Sequence, residues 1–430
     1  MSDNVSVDHY ADLNPPRHIP GDIRSDSLVS FIPMSDVSEA GHWSIRQLRK
    51  FGEVSSGFTN FKNNDVLVAK ITPCFENGKG AIVKGLVSDV GFGSTEFHVL
   101  RAKNGVCPEF IFHIAQWPKF RKEAQRYMIG SAGQQRVQRL AFSRCQLGIF
   151  DGAEQKAIAN ILDTLDTEIR QTEAIIAKLQ QVKQGLLHDL LTRGIDANGQ
   201  LRPPRDQAPE LYKESPLGWI PREWEVASLE SLVSPSDQIT YGIVQAGPHV
   251  ENGIPYIRTG DMKGDELQKE GLLCTSEKIA RNFKRSEVRA GEIVFAIRAT
   301  IGKVLMVPQE LDGANLTQGT ARISPADFMD NKFLFWCLKS ESVRNQLSEV
   351  QKGTTFQEIT LGQLRKLQVP YTNDINEQRS IADFLETNFE REKLELLRLQ
   401  KLKKQKSGLM DDLLTGRVRV TSLLDTAKAS

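Results

Sequence analysis

Apolar residues recur at heptad spacing in two separate stretches of the chain. In the central stretch, two such series run side by side: Leu162, Ile169, Ile176 and Leu190, interrupted by Lys183, and Leu165, Thr172, Leu179 and Leu186. Two series at this spacing over four heptads predict a long helix that packs along another helix. At about 1.5 Å per residue, residues 154–190 would span roughly 55 Å.

The second stretch, residues 377–416, has a looser heptad pattern formed by Ile381, Leu385, Phe389, Leu396, Leu399, Leu402, Leu409 and Leu413. It also carries a lysine cluster between residues 401 and 406, which we interpret as a solvated face. Lys183 and Lys406 take equivalent places in the two stretches. Either both extend their ammonium groups from the helix seam to solvent, which we favour, or they mark where a partner docks.

The two helical stretches repeat one another about 223 residues apart. Glu154–Ala159 reads EQKAIA and Glu377–Ala382 reads EQRSIA, while Gly185–Thr192 is echoed by Gly408–Thr415. Of the 39 aligned pairs from Glu154 to Thr192, 15 are identical without a gap. A duplicated unit indicates a molecule that does one job at two places.

Each helical stretch follows a region of short β-type runs broken by glycine. These regions also repeat, more faintly: residues 30–37 match 255–262, residues 64–70 match 291–297, and residues 133–137 match 355–359. The predicted fold class is therefore α/β (α+β), with tandem domains that are each followed by a long helix. The predicted segments are a first domain at 1–153, a helix at 154–192, a Gly/Pro-rich linker at 193–221, a second domain at 222–376, a helix at 377–416 and a tail at 417–430.

Composition narrows the function classes. The net charge of +1 argues against one large basic field, although basic patches can coexist with acidic surfaces. The five cysteines are widely spaced and form no CxxC pair, so we expect neither a disulfide framework nor a zinc site. A reducing, cytoplasmic location fits best. We expect no signal peptide and no membrane span, because no basic-then-apolar start and no run of 18 apolar residues exists.

Three enzyme motifs fail on inspection. Residues 14–17 read NPPR, which is similar to the Asn-Pro-Pro-aromatic motif of amino-methyltransferases, but Arg17 replaces the aromatic residue. Gly302-Lys303 lacks the glycine and the hydroxyl residue that a phosphate-binding loop requires. The seven histidines are scattered, without an HExxH motif or a Gly-x-Ser-x-Gly elbow. We therefore expect no catalysis by this chain.

The arrangement resembles the DNA-specificity subunit of type I restriction-modification systems. Two variable domains, each followed by a helix that opens Glu-Gln-x-x-Ile-Ala and closes Leu-Leu-Thr, are typical of that family, as are the linker Thr192–Asp196 with Ser215–Pro221 and the run Ile254–Asp261. The resemblance covers essentially the whole chain. It implies that each domain is a target-recognition domain for one half of a bipartite site in double-stranded DNA. It also implies that the helices pair as an antiparallel coiled coil that acts as a ruler.

The resemblance further implies the partners. Two methyltransferase (modification) subunits would dock and methylate adenines, and restriction endonuclease/translocase subunits would join them. The S-adenosylmethionine cofactor, and ATP with Mg²⁺, would belong to those partners, so we expect no cofactor and no metal in this chain. Half-sites that are read from one side of B-DNA lie about one helical turn, roughly 34 Å, apart. A helical spacer would fix such a separation rigidly.

Loops next to the matched framework runs are the candidates for DNA contact. Base edges are read chiefly by Arg, Lys, Asn and Gln, and phosphates also accept from small hydroxyls. The candidates are Lys70, Thr72, Lys79, Gln134, Gln135, Arg136, Arg258, Lys263, Arg298, Thr300, Lys303, Thr355 and Gln357. The alternative is that they belong to ordinary solvated loops. The predicted core of the helix pair is Leu162, Leu165, Ile169, Ile176, Leu179, Leu186, Leu385, Leu399, Leu402 and Leu409.

Two other functions stay open. The chain could be an interaction scaffold whose two domains bind protein, which predicts no steep loss of DNA affinity with salt. It could also be the specificity subunit of a modification-only complex that lacks the endonuclease.

Overall fold

The structure is a computed structural model that describes residues 4–43, 47–131, 133–352, 358–422 and 424. Its largest elements are two long helices, Gly152–Thr192 and Ile375–Leu414. The chain forms two units: residues 1–174 with 396–430, called unit 1, and residues 175–395, called unit 2. Each unit holds one domain and half of each long helix. The predicted tandem domains and long helices are confirmed. The predicted segments treated each long helix as one piece, whereas the boundary between the two units crosses both helices.

The domain of unit 1 contains short strands and short helices. The helices are α1 (Val7–Tyr10), α2 (Phe51–Val54), α3 (Pro108–Gln116), α4 (Pro118–Ala124) and α5 (Leu140–Arg144), and the first long helix is α6 (Gly152–Thr192). The strands are β1 (Ala11–Leu13), β2 (Leu28–Ile32), β3 (Gln47–Lys50), β4 (Thr59–Lys62), β5 (Val66–Ala69), β6 (Gly80–Ile82), β7 (Val90–Gly93), β8 (Phe97–Ala102), β9 (Met128–Ile129) and β10 (Arg136–Val137).

Two four-stranded sheets form the core of this domain. One is antiparallel with the order β1-β8-β5-β6, and the other has the order β3-β2-β7-β4 with β2 and β7 parallel. All four residues of β5 are buried, as expected for an apolar central strand covered on both faces. The largest apolar cluster joins the β5 sheet to α3 and to both long helices, through Leu162 of α6 and Met410 of the other helix.

Unit 2 repeats this plan. Its helices are α7 (Glu277–Asn282), α8 (Asn331–Leu338), α9 (Glu341–Lys352) and α10 (Leu361–Arg365), and the second long helix is α11 (Ile375–Leu414). Its strands are β11 (Tyr212–Ser215), β12 (Gly218–Pro221), β13 (Glu225–Ser228), β14 (Thr240–Tyr241), β15 (Ile254–Ile257), β16 (Cys274–Thr275), β17 (Ile293–Ala296), β18 (Val304–Met306), β19 (Asn315–Leu316), β20 (Thr320–Ile323) and β21 (Gln368–Tyr371).

The sheets of unit 2 correspond strand by strand to those of unit 1. The antiparallel sheet β14-β20-β17-β18 matches β1-β8-β5-β6, and the sheet β16-β15-β19 matches β3-β2-β7. The parallel neighbour is also kept, because β15 runs parallel to β19 as β2 runs parallel to β7. The hairpin β11–β12 lies in the predicted linker. The faint repeat between the domains is therefore a repeat of sheet topology.

Both long helices begin with the Glu-Gln pair that opens each repeat. At the start of α6, the Glu154 amide donates to Asp151 Oδ1 at 2.8 Å, and the Asp151 amide donates to Glu154 Oε2 at 3.1 Å. This reciprocal arrangement satisfies amide groups that the first turn of a helix leaves without partners. The isoleucine and alanine that follow are buried in both copies: Ile158, Ala159, Ile381 and Ala382.

Ion pairs join the two helix segments inside each unit, and in unit 1 they show that the segments run antiparallel. In unit 1, Lys406 contacts Asp166 at 2.5 Å and Lys403 contacts Glu173 at 2.8 Å, so rising numbers in one helix meet falling numbers in the other. In unit 2, Lys183 Nζ lies 2.8 Å from Glu392. The two equivalent lysines thus both pair with an acidic residue of the opposite helix. These ion pairs hold both lysine ammonium groups at the helix seam, so the expected extension to solvent is wrong.

The predicted core residues of the helix pair fall into two groups. Leu162, Ile169, Ile176, Leu179 and Leu385 are buried, while Leu165, Leu186, Leu399, Leu402 and Leu409 are half-buried. Leu396 fits the heptad spacing, but its side chain is exposed together with Leu394 and Leu397. Several core positions pack against a domain as well as a helix: Leu162 and Leu409 join the core of unit 1, and Leu385 and Leu186 join that of unit 2. Heptad spacing alone does not separate these two kinds of burial.

Candidate nucleic-acid interface

The candidates of the first domain meet where β5 ends. The Lys70 carbonyl accepts from the Val137 amide at 2.9 Å, the Thr72 amide donates to the Gln135 carbonyl at 2.9 Å, and the Gln135 amide donates to Thr72 Oγ1 at 3.0 Å. These bonds join the loop after β5 to the segment that contains Gln134, Gln135 and Arg136. Five predicted contact residues, from two segments about sixty positions apart, therefore share one edge of the domain.

Charge at this edge is largely paired. Arg136 donates two hydrogen bonds to Glu96, at 2.7 and 3.0 Å. Lys70 Nζ donates to the Thr95 carbonyl at 2.9 Å, and burial lowers the pKa of Lys70, with Arg136 lowering it further and Glu96 opposing both. Gln134 is exposed. Lys79 lies apart from the group, where its ammonium donates to the Met34 carbonyl at 3.3 Å.

A neutral histidine fixes this edge to the sheet. His98 on β8 is buried, and its Nε2 lies 3.0 Å from the Val137 carbonyl, while its Nδ1 lies 3.0 Å from Asn14 Nδ2. Burial lowers the pKa of His98 to about 4. The ring is therefore neutral near pH 7, with the proton on Nε2 donated to Val137 and Nδ1 accepting from Asn14. Sequence reasoning missed His98, because nothing in the spacing of the histidines marks it.

The candidates of the second domain form an equivalent edge. The Ile359 amide donates to the Ile297 carbonyl at 3.0 Å, and Arg298 pairs with Glu358 at 2.7 Å. The turn that follows is closed by the Lys303 amide donating to the Thr300 carbonyl at 3.0 Å. Lys303 itself lies 3.8 Å from Asp265. Thr355 and Gln357 lie outside the described residues.

Arg258 and Lys263 occupy the turn after β15. Asp261 accepts from the Arg258 amide at 2.9 Å and from the Arg258 guanidinium at 2.7 and 2.8 Å. Burial opposes ionisation of Asp261, but the hydrogen bonds from Arg258 prevail and hold the pKa of that carboxyl below its ordinary value. Arg258 is thus oriented by its own turn, while Lys263 is exposed.

The Glu-Gln pair of each repeat fastens a domain to its long helix. Gln155 Oε1 accepts from the Cys107 amide at 3.0 Å, at the start of α3, and Gln378 Oε1 accepts from the Asp330 amide at 2.7 Å, at the start of α8. Both amide groups also donate to a carbonyl that precedes their own helix, Phe150 in one copy and Thr372 in the other. These four bonds, two of them buried, hold each domain against the start of its long helix.

The glutamate of the pair binds an arginine from the segment after the other helix. Glu377 is buried and accepts from Arg202 at 2.5 Å, from the Ile195 amide at 3.0 Å and from Trp224 Nε1 at 3.1 Å. Glu154 accepts from Arg419 at 2.8 Å. The sequence marked both motifs but could not indicate these partners, which lie far away in the chain.

Within the described ranges, one group of three residues has a spacing that could hold a metal ion: His113, Asp163 and Asp166. His113 Nε2 lies 2.9 Å from Asp163, and Lys406 already neutralises Asp166. The hydrogen bond to His113 lowers the pKa of Asp163. This group fastens α3 to α6, and we assign it to packing. All five cysteines are free thiols, and no helix in the described part of the chain is long and apolar enough to cross a bilayer.

Known proteins share this architecture. The family model described as type I restriction modification DNA specificity domain matches residues 23–181 and 221–404. The chain is 33% identical over 192 residues to the specificity subunit of the type I restriction enzyme EcoAI from Escherichia coli, a match that covers 43% of this chain and 32% of that protein. It is 24% identical over 365 residues to the putative type I restriction enzyme MjaX specificity subunit from Methanocaldococcus jannaschii, covering 83% and 79%.

Among solved structures, the S subunit of the type I restriction-modification system from M. genitalium superposes with a TM-score of 0.57 at 15% identity, covering 96% of both chains. At that identity the likeness concerns the fold alone. The chain spans about a third of the length of the E. coli relative, 32%. Because the family model matches both halves of the molecule, the chain belongs to the type I restriction-modification DNA specificity family.

Proposed function

We propose that this chain reads a bipartite site in double-stranded DNA, one half-site per domain, and directs adenine methyltransferase and endonuclease subunits to it. One observation carries the proposal. The two domains close equivalent loop edges with the same backbone hydrogen bond, Val137 to Lys70 and Ile359 to Ile297, yet differ in the side chains displayed there. A kept scaffold with unlike loops suits a protein that reads two different sequences.

In this proposal the chain is not catalytic. Two methyltransferase subunits would supply S-adenosylmethionine chemistry, and the restriction endonuclease/translocase subunits would use ATP with Mg²⁺. The candidate contacts remain those of the two loop edges, with Arg136 and Arg298 oriented by Glu96 and Glu358. The complex would work in the cytoplasm, where its DNA target and its free cysteines are both compatible with a reducing environment.

The long helices would act as the spacer between half-sites. Inserting seven residues after Ala174 and seven after Glu395 keeps the heptad register and adds about 10 Å to each helix. We expect the unread spacer of the DNA site to grow by about three base pairs, at 3.4 Å each, with both half-sites unchanged. An altered half-site sequence would contradict the spacer role.

The direct test is single-molecule methylation sequencing of the source genome with and without this gene. We expect deletion to abolish a methylated two-part adenine motif. If the gene is expressed and the methylated motifs are unchanged after deletion, the proposal is wrong. A modification-only complex would show the same loss of methylation, but a pull-down would recover methyltransferase subunits without a translocase.

A protein-binding scaffold remains the rival function. Phosphate contacts release counterions, so DNA affinity must fall steeply as salt rises if the proposal holds. A purified complex whose DNA affinity stays flat with salt would favour the scaffold.

A further inference from the structure

The densest run of exposed cationic side chains in unit 2 lies outside the candidate loops. It follows β16 and comprises residues 276–289, called the basic segment. Its cationic residues are Lys278, Arg281, Lys284, Arg285 and Arg289, all exposed, against the acidic residues Glu277 and Glu287. Arg281 pairs with Glu277 at 2.8 Å, and Arg289 lies 3.7 Å from Asp237. Lys278, Lys284 and Arg285 form no ion pair with any residue that the structure describes.

The backbone of the basic segment is fastened to the sheet beneath it. Ser286 Oγ donates to Asn315 Oδ1 at 2.6 Å, and Asn315 Nδ2 donates to the Phe283 carbonyl at 3.3 Å. The Arg285 carbonyl accepts from buried Arg322 at 3.3 Å, and Arg322 is itself held by Glu292. The cationic side chains therefore project from a fixed main chain, which reduces the conformational entropy lost when they bind.

Unit 1 has a basic strand-to-helix turn at the equivalent place. In unit 1, β3 pairs antiparallel with β2 and leads into α2. In unit 2, β16 pairs antiparallel with β15 in the same way and leads into α7. Arg49 and Lys50 are exposed at the unit 1 turn, and the Arg49 guanidinium stacks 3.9 Å from the centre of the Phe31 ring. The Phe51 amide donates to the Ser27 carbonyl at 2.8 Å, which fixes this turn as well.

The arginines of the candidate loops differ from most cations of these turns in having a carboxylate partner. Arg136, Arg258 and Arg298 each make a hydrogen-bonded ion pair with a carboxylate. Such pairs orient a guanidinium for reading a base edge, but they cancel charge that would otherwise attract phosphate. Lys278, Lys284 and Arg285, like Arg49 and Lys50, have no carboxylate partner among the described residues. The ion-paired arginines and the unpaired cations of the turns therefore stand at different places in each domain.

We propose that the strand-to-helix turns, residues 276–289 in unit 2 and 49–52 in unit 1, grip the phosphate backbone of duplex DNA. The inference rests on the proposed function and extends it, since it separates positioning contacts from reading contacts. Duplex DNA is the fitting occupant because its phosphates present regularly spaced negative charge to a rigid row of cations. The base-reading role stays with the loop edges.

The test uses the full chain assembled with its methyltransferase subunits and a duplex that carries the methylated motif. In the triple variant Lys278→Gln, Lys284→Gln, Arg285→Gln, we expect the plot of log affinity against log salt to become less steep by about 2–3, since each lost phosphate contact removes about 0.9. Affinity should fall equally for cognate and non-cognate duplexes. Arg49→Gln with Lys50→Gln should reduce the slope by up to about 2.

A matched control removes the same charge elsewhere in unit 2. Lys332, Arg344 and Lys366 are exposed, and their triple glutamine variant should leave the slope unchanged. Thermal unfolding confirms that each variant is folded. An unchanged slope in the basic-segment variant, an equal change in the control, or a change confined to single-stranded DNA or RNA would overturn the inference. If the unmodified complex itself binds DNA without salt dependence, the proposed function fails instead.

Discussion

Unit 1 and unit 2 share a backbone hydrogen bond beside their candidate DNA loops, but the residue next to its donor carries opposite charge in the two units. The hydrogen bond from Val137 to Lys70 corresponds to the bond from Ile359 to Ile297. One residue before the donor stands Arg136 in unit 1 and Glu358 in unit 2. Arg136 pairs with Glu96, whereas Glu358 pairs with Arg298. The position keeps an ion pair although its polarity is exchanged, so the scaffold constrains the main chain and leaves the displayed charge free to change.

A second ion pair shows the same freedom inside the core. Asp65, just before β5, binds Arg101 at 2.7 and 2.8 Å, and Glu292, just before β17, binds Arg322 at 2.5 and 2.8 Å. Both carboxylates also accept from an amide three residues earlier, Lys62 or Arg289. The arginines stand on equivalent strands, but two residues apart in register. The turn before the strand is the same in both units. The arginine that binds its carboxylate comes from positions two residues apart on the same face of the neighbouring strand.

The largest expected effect is at the glutamates that begin the long helices. Glu377→Ala removes the acceptor for Arg202, Ile195 and Trp224, and should lower the free energy of unfolding by about 3–5 kcal/mol, because a buried cation loses its partner. Glu154→Ala should cost less, since Arg419 is 46% exposed at its side chain. Calorimetry of both variants measures the difference, and equal losses would contradict it.

The next effect distinguishes the units by pH. His98 has a pKa of about 4 in the folded chain and about 6.5 when unfolded, so the unfolded state alone takes up a proton between these values. Its contribution to stability is full above pH 6.5 and should fall by about 3 kcal/mol as pH drops towards 4. Position 321, which takes the place of His98 in unit 2, is alanine.

Hydrogen exchange at pH 7 and pH 5 measures this difference directly. Amides of β5 and β8 in unit 1 should lose protection at pH 5 more than those of β17 and β20 in unit 2. The variant His98→Gln should remove most of the excess loss in unit 1. If both units respond equally in the unsubstituted protein, the neutral state assigned to His98 is wrong.

A smaller effect concerns the equivalent lysines at the helix seam. Lys183→Met leaves Glu392, which is 8% exposed, with the Gln180 amide as its one partner among the described residues, and should cost about 2 kcal/mol. Lys406→Met should cost less, because Asp166 is 24% exposed at its side chain and can be hydrated. Denaturant unfolding of the two variants provides the comparison. A larger loss for the Lys406 variant would reverse our ranking of the two sites.

The smallest expected effect is at the exposed loop pair. Glu358→Gln breaks the ion pair with Arg298. Because both side chains of this pair are exposed, the free energy of unfolding should change by only about 0.2–1 kcal/mol. The substitution should nevertheless strengthen binding to non-cognate DNA, since it releases a cation at the loop edge. Parallel measurements of unfolding and of DNA affinity test both parts. A large stability loss would mean that the pair supports the fold.

Periodic features were predictable from the sequence, and contacts between distant positions were not. The heptads of α6 and α11 repeat often enough to predict both helices, yet Leu396 fits the spacing and is exposed. The Glu-Gln motif was visible twice, but the partner of Gln155 lies 48 residues away in the turn before α3. The two candidate loops of the first domain followed from the repeated framework, but the hydrogen bond that joins them, Val137 to Lys70, did not. Glu96, which pairs with Arg136, is marked by no motif either.

Domain exchange tests most directly the proposal that each domain reads its own half-site. Residues 1–153 would be replaced by the first domain of another family member, keeping Glu154 and Gln155 so that the helix contacts form, and the host genome would be sequenced for methylated adenine. We predict that one half of the methylated motif changes while the other half and the spacer stay the same. A change in both halves, or in neither with methylation intact, would contradict the account.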